Sequence, residues 1–372
     1  MEVNDVLKTF DVVKEKRLFG RYLQLDNILP LLKELETYYT VEVRGYSENN
    51  LPMHLIKLGA GSKKLLFWSQ MHGNESTTTK AVFDLLNLFK NTNDAFVKQV
   101  LKECTLYIIP MLNPDGSLLY TRANYNKVDL NRDAQDRTQE ESKVFKQIVD
   151  EVKPLVAFNL HGQRTIFSAG ETNNSAIVSF LSPASDTQRS VTNDRKKGMR
   201  IIAEMNKNLQ QLIPNCVGRY DDGFNINCTG DTMQDSGYPT ILFEAGHHPG
   251  DYDREVTRKW MFLSMLTAIN FITKEKELPT EGYEKYFDIP ENGKLFNDII
   301  LRNITIKGEN KDVAIQYVEE LAHNKLNFIP KVVEIASGIK KFGHVEFDAK
   351  NSHIEISNVC LLYTSPSPRD RG

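Results

Sequence analysis

The chain has 372 residues, with 46 Lys and Arg against 49 Asp and Glu and 40% hydrophobic residues. That describes a globular protein of two ordinary domains or one large α/β domain with an appendage. Its formal charge of −3 argues against a nucleic-acid or anionic-membrane partner, since either calls for a basic face. No run approaches the roughly 18 consecutive apolar residues of a membrane span. Residues Met1 to Arg17 alternate charged and apolar side chains without the pattern of a signal peptide, so a cytoplasmic location is expected. Cys104, Cys216, Cys228 and Cys360 lack close paired spacing, which argues against both a disulfide framework and a thiolate zinc site.

The first predicted element is a helix over 25–38, with apolar side chains at Leu25, Ile28, Leu31, Leu32 and Leu35. Strand-like runs follow at Thr40 to Val43 and His54 to Leu58, on either side of a turn-rich segment. From there strand and helix alternate. Leu65 to Ser69 precedes a helix through Ala81, Val82, Leu85, Leu86 and Phe89. Leu106 to Leu112 precedes a long polar loop and a helix near Glu140 to Val152. Leu155 to Leu160, a loop-rich segment, a helix near Asn193 to Leu212, the strand Thr240 to Phe243 and a helix over Arg254 to Lys274 complete the series. The pattern predicts an α/β fold: a mixed, largely parallel central sheet with helices on both faces and antiparallel hairpins on its N-terminal side.

Past Lys276 the texture changes. Glu277 to Gly293 is rich in Pro, Gly and charge and reads as a linker. Asp298 to Lys307, Lys331 to Ile335 and His344 to Ile356 read as strands, and Val313 to Asn324 as a helix. The expected division is 1–276 for a main domain and 277–360 for a small, mostly β C-terminal appendage. Leu361 to Gly372 (LLYTSPSPRDRG) departs from that pattern, resembles a vector-derived read-through and is set aside as a non-native tail.

Four predicted core strands end in chemically capable residues: Met71-His72-Gly73-Asn74-Glu75, Asn113-Pro114-Asp115-Gly116, His161-Gly162-Gln163 and Glu244-Ala245-Gly246-His247-His248. Ligands of open α/β sheets bind beyond the carboxyl ends of strands, so these loops converge on one crevice. His72 and Glu75 are three apart where a strand gives way to a helix, and a turn there aims both at one point. A neutral imidazole with a carboxylate suits Zn²⁺, a catalytic zinc takes three protein ligands, and His161 supplies the third.

With those residues in view, the sequence resembles the zinc carboxypeptidases of the M14, carboxypeptidase A-like family from about Phe19 to Lys274. The motifs that carry the resemblance are His-Gly-Asn-Glu at 72–75, Asn-Pro-Asp-Gly at 113–116, Thr-Arg-Ala-Asn at 121–124, Asp-Leu-Asn-Arg-Asp at 129–133, and the strand-terminal His161 and Glu244. The resemblance implies a zinc-dependent metallocarboxypeptidase that hydrolyses the C-terminal amide bond of peptides. It implies one Zn²⁺ per chain on His72, Glu75 and His161, and Glu244 as the catalytic carboxylate. It makes Arg122 a cation near the scissile carbonyl and Asn131 with Arg132 the clamp for a terminal carboxylate. Two positions depart from the digestive-type pattern. Gly162 follows His161 where well-known members have Ser, and the family's mobile Tyr has Tyr220 as its nearest counterpart, with Tyr238 as the other candidate. His247 and His248 read as loop residues. The implied member is intracellular and of bacterial style.

Two other readings stand beside this one. A zinc acylase or deacylase of the aspartoacylase and succinylglutamate desuccinylase type has a similar site and takes acyl-amino acids. A catalytically inactive binding module would keep the fold without the chemistry, although every expected ligand, Glu244 and both arginines are present.

Overall fold

The structure, a computed structural model, describes residues 10–350 and 352. Its centre is an eight-stranded sheet. In chain order the strands are β1 (Thr40–Tyr46), β2 (Pro52–Gly59), β3 (Lys63–Ser69), β4 (Cys104–Ile109), β5 (Val156–Gly162), β7 (Val178–Leu181), β8 (Val217–Arg219) and β9 (Thr240–Ala245). Across the sheet they run β1-β2-β4-β3-β5-β9-β7-β8. β4, β3, β5 and β9 are mutually parallel, while β1, β2 and β7 supply antiparallel pairings.

Helices cover both faces, as the strand-then-helix pattern requires. They are α1 (Leu25–Leu35), α2 (Thr77–Phe89), α3 (Ala95–Glu103), α4 (Pro114–Leu119), α5 (Glu140–Val152), α6 (Asn193–Leu209), α7 (Thr229–Asp235) and α8 (Glu255–Lys274). The alternation of side chains along β3 sorts them into two cores. Leu65 and Phe67 face α2, α6 and α8 in the larger core, whereas Leu66 and Trp68 face α5 and α7 in the smaller one. Burial on both sides explains why β3 and β5 read as nearly continuous apolar runs.

A second sheet follows, formed by β11 (Phe296–Ile306), β12 (Glu309–Ala322), β13 (Lys325–Ala336) and β14 (Phe342–Asp348) in the order β13-β12-β11-β14. The helix expected over Val313 to Asn324 is therefore absent, and those residues lie in β12 and its turn. Asp312, Ala314 and Gln316 are buried on one face at period two, β12 pairs with β11 over Glu309 to Ile315 and with β13 over Asp312 to Ala322, and a register shift at Ala314 and Ile315 blurs the alternation. The segment read as a linker is tied down. Tyr286 and Ile289 are buried in the larger core, and β10 (Asn292–Gly293) pairs with β6 (Ser168–Ala169). Helix α3, whose Asp94 caps Phe96 N and Val97 N, and the short elements β6, β7, β8, α4 and α7 escaped the sequence reading. Residues 351 and 353–356 of the last expected strand, Cys360 and the 361–372 tail lie outside the described residues.

Candidate metal centre

Parallel registration brings the site together. β3 and β5 pair through Ser69 and Leu160, and β5 and β9 pair His161 with Glu244 and Gly162 with Ala245. The loops that begin at Gln70, Gly162 and Ala245 therefore leave one edge of the sheet side by side. The turn after β3 is tightly built. Gln70 adopts φ of 52°, its Nε2 donates to the Gly73 carbonyl at 2.8 Å, and Asn113 Nδ2 donates to the Met71 carbonyl at 3.1 Å. Gly73 lies so close to α4 that a Cβ there would stand 1.9 Å from the Gly116 carbonyl carbon, so no other residue fits.

This turn delivers His72 and Glu75 to His161. Nδ1 of His72 lies 2.8 Å from Glu75 Oε1 and 3.0 Å from Nδ1 of His161, which lies 3.0 Å from Glu75 Oε2. Among the described residues these three form the group of His, Cys, Asp and Glu side chains able to hold an ion, with ligand atoms within 4.8 Å of one another. The donor set fits zinc. Two inward-facing imidazole nitrogens and a carboxylate match a three-ligand zinc site, and both histidines are 2% exposed. The backbone N–H of Gly162 donates to Glu75 Oε2 at 3.0 Å.

Asp129, which the sequence reading quoted within a motif but gave no role, stands behind the ligands. Its Oδ1 lies 3.3 Å from His72 Nε2 and its Oδ2 accepts from Arg122 Nε at 2.9 Å. A carboxylate behind a ligating imidazole fixes its tautomer and leaves Nδ1 free to coordinate. Burial alone would raise the Asp129 pKa, but the His72 and Arg122 contacts hold it well below the usual range. Arg122 Nη1 reaches within 3.6 Å of Glu75 Oε1, so the expected cation does border the ligand group.

Glu244 is 9% exposed, and its Oε2 has no hydrogen-bond partner. Burial first, and the charge of Glu75 second, push its pKa well above the ordinary carboxylate range, with Arg122 and Arg254 pulling the other way. Arg254, also missed, is buried at the start of α8 and clamps the ends of β5 and β9, donating to the Ala245 carbonyl at 2.7 Å, to that of Gln163 at 3.0 Å and to that of Gly246.

The remaining expected residues lie as follows. Asn131 and Arg132 sit on a short 3₁₀ turn, Leu130–Arg132, where Asn131 Oδ1 accepts from Thr229 N at 2.9 Å. The exposed Arg132 donates to the Asn131 carbonyl at 2.8 Å and to Cys228 Sγ at 3.1 Å. Tyr220 packs on Phe167, with ring centroids 5.5 Å apart, in a small cluster with Ala169 and Ala176. Tyr238 packs instead into the smaller core and helps line an apolar cavity of about 140 Å³ between α5 and α7, together with Met71, Leu130 and Met233. That cavity includes none of the three ligands. His247 is buried and His248 half-buried in the loop after β9.

The sequence profile described as zinc carboxypeptidase matches residues 29–238, more than half of the chain. Carboxypeptidase SOL1 of Arabidopsis thaliana is 24% identical over 196 residues, which are 47% of this chain and 40% of the relative, so the chain spans about two-fifths of that protein's length. The fold is similar to that of the metallo-carboxypeptidase of Burkholderia cenocepacia, with TM-score 0.56, 18% identity and coverage of 68% of this chain and 69% of that one. It is also similar to bovine thrombin-activatable fibrinolysis inhibitor, solved in complex with tick carboxypeptidase inhibitor, with TM-score 0.54, 15% identity and coverage of 68% and 98%. The chain, with its His-Glu-His group at the ends of adjacent parallel strands, belongs to the M14 zinc carboxypeptidase family.

Proposed function

We propose that the protein is a zinc metallocarboxypeptidase that hydrolyses the C-terminal amide bond of peptides, with residues 1–276 as the peptidase unit and 277–360 as its β-rich appendage. The observation that carries this reading is the convergence of two imidazole nitrogens and one carboxylate beside a second, buried carboxylate with a free oxygen. His72, Glu75 and His161 hold one Zn²⁺, which supplies Lewis-acid polarisation and lowers the pKa of water. Glu244 serves as general base and then as general acid: it takes a proton from the attacking water and passes it to the leaving amine. Burial and the neighbouring Glu75 charge give it the raised proton affinity that the second step needs. Arg122, oriented by Asp129, offers N–H donors to the oxygen on which charge develops. Asn131 and Arg132 bind the substrate's terminal carboxylate, for which a guanidinium fork is well shaped, and Tyr220 lines the substrate side.

The family match and the carboxypeptidase neighbours weigh against the acylase alternative. No helix among the described residues is long and apolar enough to cross a membrane. The metal reading is tested by zinc content: one Zn²⁺ per chain is expected, phenanthroline should abolish hydrolysis and added Zn²⁺ should restore it. His72→Ala should lose both metal and activity. Full zinc occupancy in that variant removes His72 from the ligand set.

A further inference from the structure

The C-terminal sheet reaches the loops that leave all four site-bearing strands. Near the turn after β3, Glu319 of β12 pairs with Arg21, whose carbonyl accepts from Ser76 Oγ at 2.6 Å, one residue past the ligand Glu75. After β4, the same carboxylate accepts from Tyr120 Oη at 2.6 Å, two residues before Arg122. In the loop after β5, Gln316 donates to Thr165 Oγ1 and His344 Nε2 donates to the Thr165 carbonyl, both at 2.7 Å, four residues past His161. After β9, the His344 ring lies 4.3 Å from that of His247, and Tyr252 donates to Asp298 at 2.8 Å.

These contacts are unlike a casual domain contact, which is polar, wet and readily rearranged. Gln316 is 7% exposed and Asp298 1%, and one carboxylate, that of Glu319, serves two different site loops at once. Arg21 is largely buried, and Glu319 is its ion-pair partner among the described residues, so losing Glu319 leaves the guanidinium without a carboxylate in contact. Metal ligands held to fractions of an ångström depend on the groups behind them.

We propose that the C-terminal sheet is a brace for the metal site, with Glu319 as a positioning residue that fixes the loops carrying Glu75 and Arg122, and Gln316 as one that fixes the loop after His161. The sheet is then part of the catalytic unit. The inference goes beyond the proposed activity, and only its zinc readout rests on that reading.

The test uses the full chain and two readouts besides turnover: amide hydrogen exchange and Zn²⁺ affinity. In Glu319→Gln, exchange over 72–78 and 118–124 should quicken about five-fold or more while that of α6 stays at wild type, and the Zn²⁺ dissociation constant should rise roughly ten-fold. In Gln316→Ala the quickening should move to 163–167. Ile300→Val, in the small core of the same sheet, is the control. It should loosen the sheet and leave the site loops and zinc affinity unchanged. Wild-type exchange and affinity in Glu319→Gln overturn the brace, as does equal loosening of the site loops by Ile300→Val. Should Glu319→Gln not fold, Tyr120→Phe removes only the phenol hydroxyl, and unchanged exchange over 118–124 in that variant overturns the proposal equally. A wild-type chain that binds no zinc contradicts the function proposed above, whereas exchange still decides the brace.

Discussion

In the proposed reading Glu75, in the turn after β3, and Glu244, in β9, divide the chemistry between them because their surroundings differ. Against the cost of burial, His72 and His161 hold Glu75 well below the ordinary range, which suits the ligand role proposed for it, whereas Glu244 gains no such partners and is pushed up by burial and by Glu75 itself. Opposite shifts in adjacent acids are the pattern by which one site runs ligation and proton transfer together. Glu244→Gln keeps the shape and removes the titrating oxygen. Turnover should fall on the order of 10² or more. Zinc content measured on the same preparation should stay at wild type, and activity near wild type would make Glu244 structural. Of the residues that the sequence offered as ligands, His72 and His161 were visible because each follows an apolar run, and Glu75 because it is three residues from His72. Asp129 and Arg254 were not. One acts from behind His72 and the other through backbone carbonyls of two strands, and neither relation leaves a spacing to read.

Among the elements, those buried on both faces or on one helical stripe were legible, because burial imposes a period. α2, α5, α8 and the central strands fall within a few residues of their expected bounds. The strand β12 was misread since its apolar Ala314, Tyr317, Val318 and Leu321 stand at a helical spacing, and only cross-strand pairing with β11 and β13 reveals the strand. Buried charge in the helices gives two predictions. Asp84 of α2 and Arg258 of α8 form an ion pair with both side chains fully buried and Nη2 to Oδ1 at 2.6 Å. Asp84→Asn removes the fully buried partner and leaves Arg258 with Glu255 alone, at 3.1 Å, and should lower stability by about 3–5 kcal/mol in urea denaturation; a loss below about 1 kcal/mol, the range of an exposed pair, would contradict this. Glu141, in the first turn of α5, accepts from Asn124 Nδ2 at 3.2 Å, and burial pushes its pKa up to about 7. A raised acid means that the folded state binds more protons than the unfolded one between pH 4.5 and 7, so stability falls as pH rises through that window. Glu141→Gln should remove that slope. The melting temperature of wild type minus variant should therefore be lower at pH 8 than at pH 5, and a constant difference would show that Glu141 does not titrate there.

At the scale of the whole molecule, the central sheet sets the direction of every site loop, and the second sheet closes against the same edge through Glu319, Gln316 and His344. The sequence pattern carried the first of these facts through strand and helix alternation. It could not carry the second, since the contacts join residues up to 298 positions apart, as between Arg21 and Glu319. The proposed exopeptidase action rests on Asn131 and Arg132, which sit on the 3₁₀ turn Leu130–Arg132 with the Arg132 side chain exposed. A charge-assisted contact to a terminal carboxylate is worth roughly 1.5–3 kcal/mol, about ten- to a hundredfold in rate. The most direct measurement compares hydrolysis of one peptide as its free acid and as its C-terminal amide by the zinc-loaded chain, with Arg132→Ala alongside. The expected result is cleavage of the free acid at least ten-fold faster than of the amide by the wild type, with the difference largely erased in Arg132→Ala by slower cleavage of the free acid. Equal cleavage of both peptides by the wild type would contradict the carboxypeptidase assignment.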